Sequence, residues 1–286
     1  MNEKFLKAMF NSSQLPIIDF GLADISQQAQ KLAGKLSISG VQPKLSVKLD
    51  KKRNMLIVVN EGGEYILKPQ TGTFPNIPEN EHCCMDIAEA LGIETPPHCL
   101  LALKDKSLAY VIKRFDRRNG DKIHQEEFSQ LLGKEKYIGS VEQIAKKISE
   151  VSTAPGYDLQ LFFERVLLNF ILGNGDAHLK NYTMRYAGEE RRLSPAYDIV
   201  CSRLVISEEK EESALDINGK RNRITREDFE KLADHLKIPI KVRYENFQGK
   251  FKIMKKIIQS SKLDQESQKK FLHMIKERLH RLELLE

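Results

Sequence analysis

From residue 44 onward, apolar and polar positions alternate in short bursts. KLSVKLD (44–50), MLIVV (Met55–Val59) and EYILK (Glu64–Lys68) are each one strand long, and Asn54 and Gly62–Gly63 separate them. That pattern predicts a meander joined by short turns. A loop rich in Pro, Gly, Thr and Asn follows from Pro69 to Pro78. A helix is predicted over Glu79–Leu91, stopped by Gly92 with Pro96–Pro97 just beyond. Strands at His98–Leu103 and Leu108–Arg114 complete a twisted, mostly antiparallel sheet. The first thirty residues are mixed and predict one helix, Ile25–Leu32, closing at Gly34.

After Phe115 the period changes to that of helices. Ser140 with Gln143 reads as a capping box opening Val141–Glu150. Pro155–Gly156 interrupts the chain, and Asp158 is the expected cap of a helix over Leu159–Leu172. That helix is apolar nearly all round, the mark of a central buried element. A polar loop, GNGDAHLKN, leads into an expected hairpin of Tyr182–Tyr186 and Arg191–Leu193 around AGEE. Thr225 and Asp228 open a further helix, and Phe271, Leu272, Ile275, Leu279 and Leu282 line one face of a C-terminal one. The fold class is α+β, with a β-rich N-terminal lobe (1–114) and a mostly helical C-terminal lobe (115–286).

Composition narrows the class. Of 286 residues, 41% are hydrophobic and 30% charged, which supplies a core and excludes a disordered or fibrous chain. Lys and Arg number 46 against 40 Asp and Glu, a net charge of +6 that is too small to imply nucleic acid. The longest apolar stretch, around Val166–Leu172, falls far short of the ~20 residues of a membrane helix. The N-terminus lacks the long apolar core of a signal peptide, so a cytoplasmic protein is expected. Cys83, Cys84, Cys99 and Cys201 read as small buried hydrophobes in a reducing compartment. His82, Cys83, His98 and Cys99 lack the paired spacing of a zinc site.

The segment Gly173–Asp198 carries the densest chemistry. A buried helix runs into a loop bearing Asp176, His178, Lys180 and Asn181, and Asp198 follows in SPAYDIV. Asp176 and Asn181 reproduce the D-x-x-x-x-N spacing of a kinase catalytic loop. Phosphoryl transfer to a hydroxyl needs a carboxylate near the attacking oxygen and oxygen ligands for Mg²⁺. Asn181 and Asp198 offer such ligands, and oxygen donors suit this hard cation. Asp, Asn and Gly also populate loops for local reasons, so the order of the other parts matters. Upstream, Lys68 ends a strand, where a lysine pairs with ATP phosphates in kinases, and Glu81 on the next helix is placed to hold it. Lysines at strand ends are otherwise mostly solvated. The run KLSISGVQPKLSV (Lys35–Val47) carries Ser37, Ser39 and one glycine, Gly40, small enough to bring backbone amides near phosphate.

Taken in order, SISGVQPK, YILKP, NEHCCMDIAEALGIETP, VIKRFDR, GNGDAHLKN and LSPAYDIV resemble the HipA-like toxin serine/threonine kinases of bacterial toxin–antitoxin systems. The resemblance covers roughly Leu36 to Leu236. It implies a two-lobed protein-kinase-like fold that binds ATP and Mg²⁺. It makes Asp176 the catalytic base and Asn181 and Asp198 the magnesium ligands. Lys68, supported by Glu81, contacts phosphate, and the SISGVQ loop (Ser37, Ser39, Gly40, Val41, Gln42) covers the nucleotide. Lys113–Phe115 becomes the hinge that holds adenine. His178 takes a structural part in the catalytic loop, and Lys180 neutralises the γ-phosphate. The resemblance also implies autophosphorylation at Ser37 or Ser39; adding about −2 of charge beside the phosphates switches the enzyme off. With only about 35 residues before the SxSG loop, the chain is most similar to the short HipT-type kinases. That implies a separate HipS-like small protein, a HipB-like DNA-binding antitoxin and an aminoacyl-tRNA synthetase as substrate.

Other readings stand beside this one. A small-molecule kinase of the same fold shares the D-x-H-x-x-N loop, because fold does not fix substrate. A catalytically silent nucleotide-binding scaffold in a DNA-bound antitoxin complex would typically lack one of Lys68, Asp176, Asn181 and Asp198. Phe247–Glu286 holds ten Lys and Arg against five acids, a net of +5. Such faces are mostly solvated or meet a protein partner, so direct nucleic-acid binding is not expected.

Overall fold

The computed structural model describes residues 2–25, 43–118, 120–206 and 211–285. The chain forms two compact units, Met1–His82 with Pro96–Asp121, and Cys83–Thr95 with Lys122–Glu286. Both are discontinuous in sequence, which a single cut at 114/115 does not represent.

The first unit is built on a five-stranded antiparallel sheet. Its strands are β1 (Leu45–Asp50), β2 (Met55–Val58), β3 (Tyr65–Pro69), β4 (His98–Ala102) and β5 (Leu108–Lys113), in the order β2-β1-β3-β5-β4. The expected meander is corrected here: β1 pairs with both β2 and β3. The burial patterns give the reason. β2 is mostly half-exposed and suits an edge, whereas β3 and β5 are buried on both faces and take the centre. Along β1, Leu45, Val47 and Leu49 are buried while Lys48 is exposed, the alternation expected of a strand with one face on a core. That core also holds Met9 and Phe10 from α1 (Glu3–Phe10), a helix the mixed N-terminal pattern does not predict. Asn2 caps it, accepting from the Phe5 N–H at 2.9 Å. The predicted helix Ile25–Leu32 lies, apart from Ile25, outside the described residues. Between β3 and β4 runs α2 (Ile77–Ala90), and the division between the two units falls inside it. Just past β5, β6 (Arg117–Arg118) and β7 (Asp121–Lys122) form a two-stranded ribbon.

The second unit is organised by its central helix. Its elements are β8 (His124–Glu127), α3 (Phe128–Leu132), α4 (Val141–Val151), α5 (Pro155–Leu172), β9 (Thr183–Ala187), β10 (Glu190–Leu193), α6 (Arg226–His235), α7 (Phe251–Ser260) and α8 (Gln265–Arg281). α5 is buried continuously from Phe162 to Leu172 and packs on α4, α6 and α8. Phe163 and Phe170 meet Phe229 of α6 at ring distances of 6.3 and 5.4 Å. Its N-terminus corrects the expected cap. Pro155 opens the helix with Ala154 at the N-cap, because proline is pre-organised for the first helical position. Asp158 therefore lies inside the first turn and fully buried, accepting from Ser152 Oγ at 2.6 Å, the Leu193 N–H at 3.0 Å and Arg192 Nε at 3.1 Å. It fastens the helix start to β10, and β8, β9 and β10 form a three-stranded sheet in the order β10-β9-β8. All four cysteines are buried, and burial pushes the Cys83 and Cys99 thiols up to about 12. Among the described residues, no helix is long and apolar enough to cross a membrane.

Candidate active site

In the first unit, Lys68 is carried into the interior by β3. Opposite it on β5 stands Tyr110, whose ring centroid is 5.7 Å from Lys68 Nζ. The ammonium donates to Glu81 Oε1 of α2 at 2.5 Å, with both residues buried. Lys68 is thus not a solvated strand end. An ammonium this deep requires a carboxylate partner, and the pair holds the lysine at one position.

In the second unit, the loop after α5 is shaped by its helix terminus. Gly173 closes the helix with φ of 73°, and the Asn174 N–H returns to the Asn169 carbonyl at 2.9 Å. A Cβ at Gly173 would lie 2.7 Å from the Met274 side chain, so the tight exit also needs the missing side chain. Asn174 then braces the loop, donating to Asn169 Oδ1 at 2.9 Å and accepting from the Asp176 N–H at 3.3 Å. Ser202 Oγ accepts from the Gly175 N–H at 2.8 Å. His178 caps a short 3-10 turn, Leu179–Asn181, its Nδ1 accepting from the Lys180 N–H at 3.3 Å. Burial holds this imidazole below its ordinary pKa, against the opposing pull of the Asp176 charge. A neutral Nδ1 acceptor is what the cap needs.

Asp176 itself is exposed, and its Oδ1 accepts the Tyr137 hydroxyl at 2.6 Å. Lys180, further along the same loop, is also exposed, its carbonyl accepting from the Tyr197 hydroxyl at 3.0 Å. Asn181 and Asp198 are brought together across the β9–β10 hairpin, Asn181 Nδ2 donating to the Asp198 carbonyl at 3.4 Å. This orientation leaves Asn181 Oδ1 buried with no hydrogen-bond partner. Asp198 has φ of 59°, in the left-handed region that a non-glycine residue rarely adopts. Orphaned buried acceptors and strained backbone both concentrate at functional positions. Among the described residues, no three His, Cys, Asp or Glu converge as a metal-binding group. An amide oxygen on a residue bonded to the backbone of a single aspartate instead suits Mg²⁺, which keeps waters and takes phosphate oxygens for its remaining positions.

The other expected residues divide in two. Ser37, Ser39, Gly40, Val41 and Gln42 lie outside the described residues. At the expected hinge, the Lys113 N–H is engaged by the Pro97 carbonyl at 2.9 Å and its ammonium by the Ala8 carbonyl at 2.7 Å. The Arg114 N–H likewise serves the sheet, donating to the Glu64 carbonyl at 2.8 Å. Adenine therefore cannot take the Lys113 N–H without breaking a sheet bond. Two residues of the loop's surroundings escape a reading of the sequence. Ser202 sits in an unremarkable CSR stretch, and Tyr137 sits in a polar run, KEKYIGS, with no periodicity to mark it.

A buried Lys–Glu pair in a five-stranded antiparallel unit and a D-x-x-x-x-N loop at the end of a buried helix define a protein-kinase-like fold. Residues 36–271 match the HipA-like C-terminal domain family, and the chain belongs to that family. A Haemophilus influenzae protein named "Putative kinase" is 36% identical over an alignment of 192 residues that covers 62% of this chain and 55% of that protein. "Putative kinase Y4dM" of Sinorhizobium fredii is 36% identical over an alignment of 195 residues that covers 60% of this chain and 46% of that one. The chain thus matches about half the length of these relatives. Among solved structures, HipA of Shewanella oneidensis, in a complex with HipB and operator DNA, superposes with a TM-score of 0.73. It is 21% identical, over 97% of this chain and 73% of that one. The Helicobacter pylori proinflammatory kinase CtkA superposes with a TM-score of 0.58 at 17% identity, over 80% of this chain and 89% of that one. At these identities the two likenesses speak to the fold alone.

Proposed function

We propose that the chain is an ATP- and Mg²⁺-dependent protein kinase acting on serine or threonine, the toxin of a HipA-like toxin–antitoxin system. The observation that carries this is the buried, unpartnered Oδ1 of Asn181 beside Asp198, five residues after an exposed Asp176. In this reading Asp176 takes the proton of the acceptor hydroxyl, and Lys180 offers positive charge to the transferring group. Asn181 and Asp198 hold magnesium, which supplies positive charge to the phosphate oxygens when bound. In the first unit, Lys68, fixed by Glu81, meets the phosphates. The SISGVQ loop covers the nucleotide, and its phosphorylation at Ser37 or Ser39 inhibits.

The Shewanella oneidensis complex supports a HipB-like DNA-binding partner. A HipS-like small protein, an aminoacyl-tRNA synthetase as substrate and a cytoplasmic setting rest on the sequence resemblance alone. The presence of Lys68, Glu81, Asp176, Asn181 and Asp198 together speaks against a silent scaffold.

Labelling with γ-³²P-ATP and Mg²⁺, alone and in a bacterial lysate, tests the reading when the labelled sites are mapped by mass spectrometry. Phosphoserine at 37 or 39 plus one dominant lysate protein is expected. Label confined to small molecules would replace the protein acceptor with a small one.

A further inference from the structure

We infer that Tyr137 is a positioning residue for phosphoryl transfer, holding Asp176 by one carboxylate oxygen so that the other serves the acceptor hydroxyl. This rests on the reading of Asp176 as the base. The Tyr137 hydroxyl donates to Asp176 Oδ1 at 2.6 Å, across 39 positions of sequence. Asp176 is an exposed side chain in a loop, and such a carboxylate exchanges among rotamers in water. Tyr137 limits that freedom only if it is itself fixed, and it is fixed from several directions. Arg221 Nη2 donates to the Tyr137 carbonyl at 2.9 Å, and Arg221 Nε is anchored on Asp216 Oδ1 at 2.7 Å. The neighbouring Lys136 carbonyl accepts from the Leu179 N–H at 3.0 Å, which ties the segment directly to the catalytic loop. The ring stands edge-on to His178, centroids 5.2 Å apart at 74°, with the Lys136 ammonium 4.5 Å from its centroid. His178, capping the turn that presents Asn181, thereby touches the residue that grips Asp176.

A phenol donates one proton, so it engages one carboxylate oxygen and leaves acceptor capacity on the other. A second arrangement would give the opposite kinetics. If the Tyr137 hydroxyl stood in the acceptor's own place, it would have to leave before transfer, and removing it would speed turnover. The two differ in sign. Tyr137 is 41% exposed, so loss of its hydroxyl leaves the fold intact.

The test is ATP turnover to ADP by the full chain with Mg²⁺, water being the acceptor, for the unaltered protein, Tyr137→Phe, Arg221→Ala, the double variant and Asp176→Asn. Positioning predicts kcat for Tyr137→Phe lower by ~10-fold, from a lost hydrogen bond to a charged group. The KM for ATP and the melting temperature stay unchanged. Arg221→Ala lowers kcat in the same direction and adds nothing in the Tyr137→Phe background. Unchanged or increased kcat in Tyr137→Phe overturns the inference while loss of turnover in Asp176→Asn leaves the parent reading standing. Full turnover by Asp176→Asn, or none by the unaltered chain, overturns both.

Discussion

Lys68 Nζ lies 2.5 Å from Glu81 Oε1, with the two side chains 5% and 0% exposed. Two opposite charges withdrawn from water this far are weak evidence for stability, because their desolvation offsets their attraction. Removing one partner takes this ion pair from a charge that stays buried, so Lys68→Met and Glu81→Leu should each destabilise the protein, by up to about 3–5 kcal/mol. The double variant Lys68→Met/Glu81→Leu should recover most of that loss and still fail to transfer phosphate. Denaturant unfolding of the three variants, run beside ATP turnover, measures both. Recovery of activity along with stability would mean that the pair is structural only.

Asp198 separates backbone strain from chemistry in the other unit. Its φ of 59° costs energy in any residue with a Cβ and almost none in glycine. Asp198→Gly should therefore keep or slightly raise the melting temperature, while Asp198→Ala keeps the strain. Both should lower Mg²⁺-dependent turnover by ~10² or more, since each removes the carboxylate proposed to hold the cation. Turnover by Asp198→Gly near that of the unaltered chain would remove Asp198 from the metal site.

The helix exit at Gly173 carries a prediction about distance in sequence. Gly173→Ala meets a φ of 73° and a contact of 2.7 Å to Met274, a cost of ~1–2 kcal/mol from the backbone alone. Because that turn sets the course of the loop to Asp176, turnover should fall together with stability. Met274→Ala in the same chain relieves the clash but not the φ, so it should restore only part of the loss. Thermal unfolding of the single and double variants reads this directly.

Acid sensitivity follows from Asp116. Burial alone would raise its pKa, but the Arg114 hydrogen bonds at 2.7 and 2.8 Å and the Arg114 and Arg117 charges outweigh it and hold the carboxyl below the usual range. A carboxylate depressed in the folded state contributes stability that is present above its unfolded pKa of about 3.9. That contribution is lost as pH falls through the folded value. Asp116→Asn should accordingly flatten the fall in melting temperature below about pH 4. An unchanged slope would show that the two guanidiniums are not coupled to folding.

Much of this was legible in the residues. Strong periodicity located β1, β3, β5 and the buried α5, and Thr225 with Asp228 forms the reciprocal capping box its spacing implies. The D-x-x-x-x-N loop follows α5 as its pattern requires. What escaped depends on tertiary contacts. α1 buries only Met9 and Phe10, too few positions to show a stripe. Asp158 has the residue type of a cap, but Pro155 sets the helix start and leaves it free to anchor β10. The strand order β2-β1-β3 reflects which strand best tolerates an edge, a comparison that local alternation does not make. Tyr137 reaches Asp176 across 39 positions, and nothing local signals that meeting.

The central claim is tested most directly by Mg²⁺-dependent transfer of the ATP γ-phosphate, measured for the unaltered chain and for Asp176→Asn at matched ATP occupancy. The account predicts transfer by the former, abolished by EDTA, and a rate ~10²–10⁴ lower in the latter. Tight ATP binding with no transfer by either chain, or equal transfer by both, would contradict it.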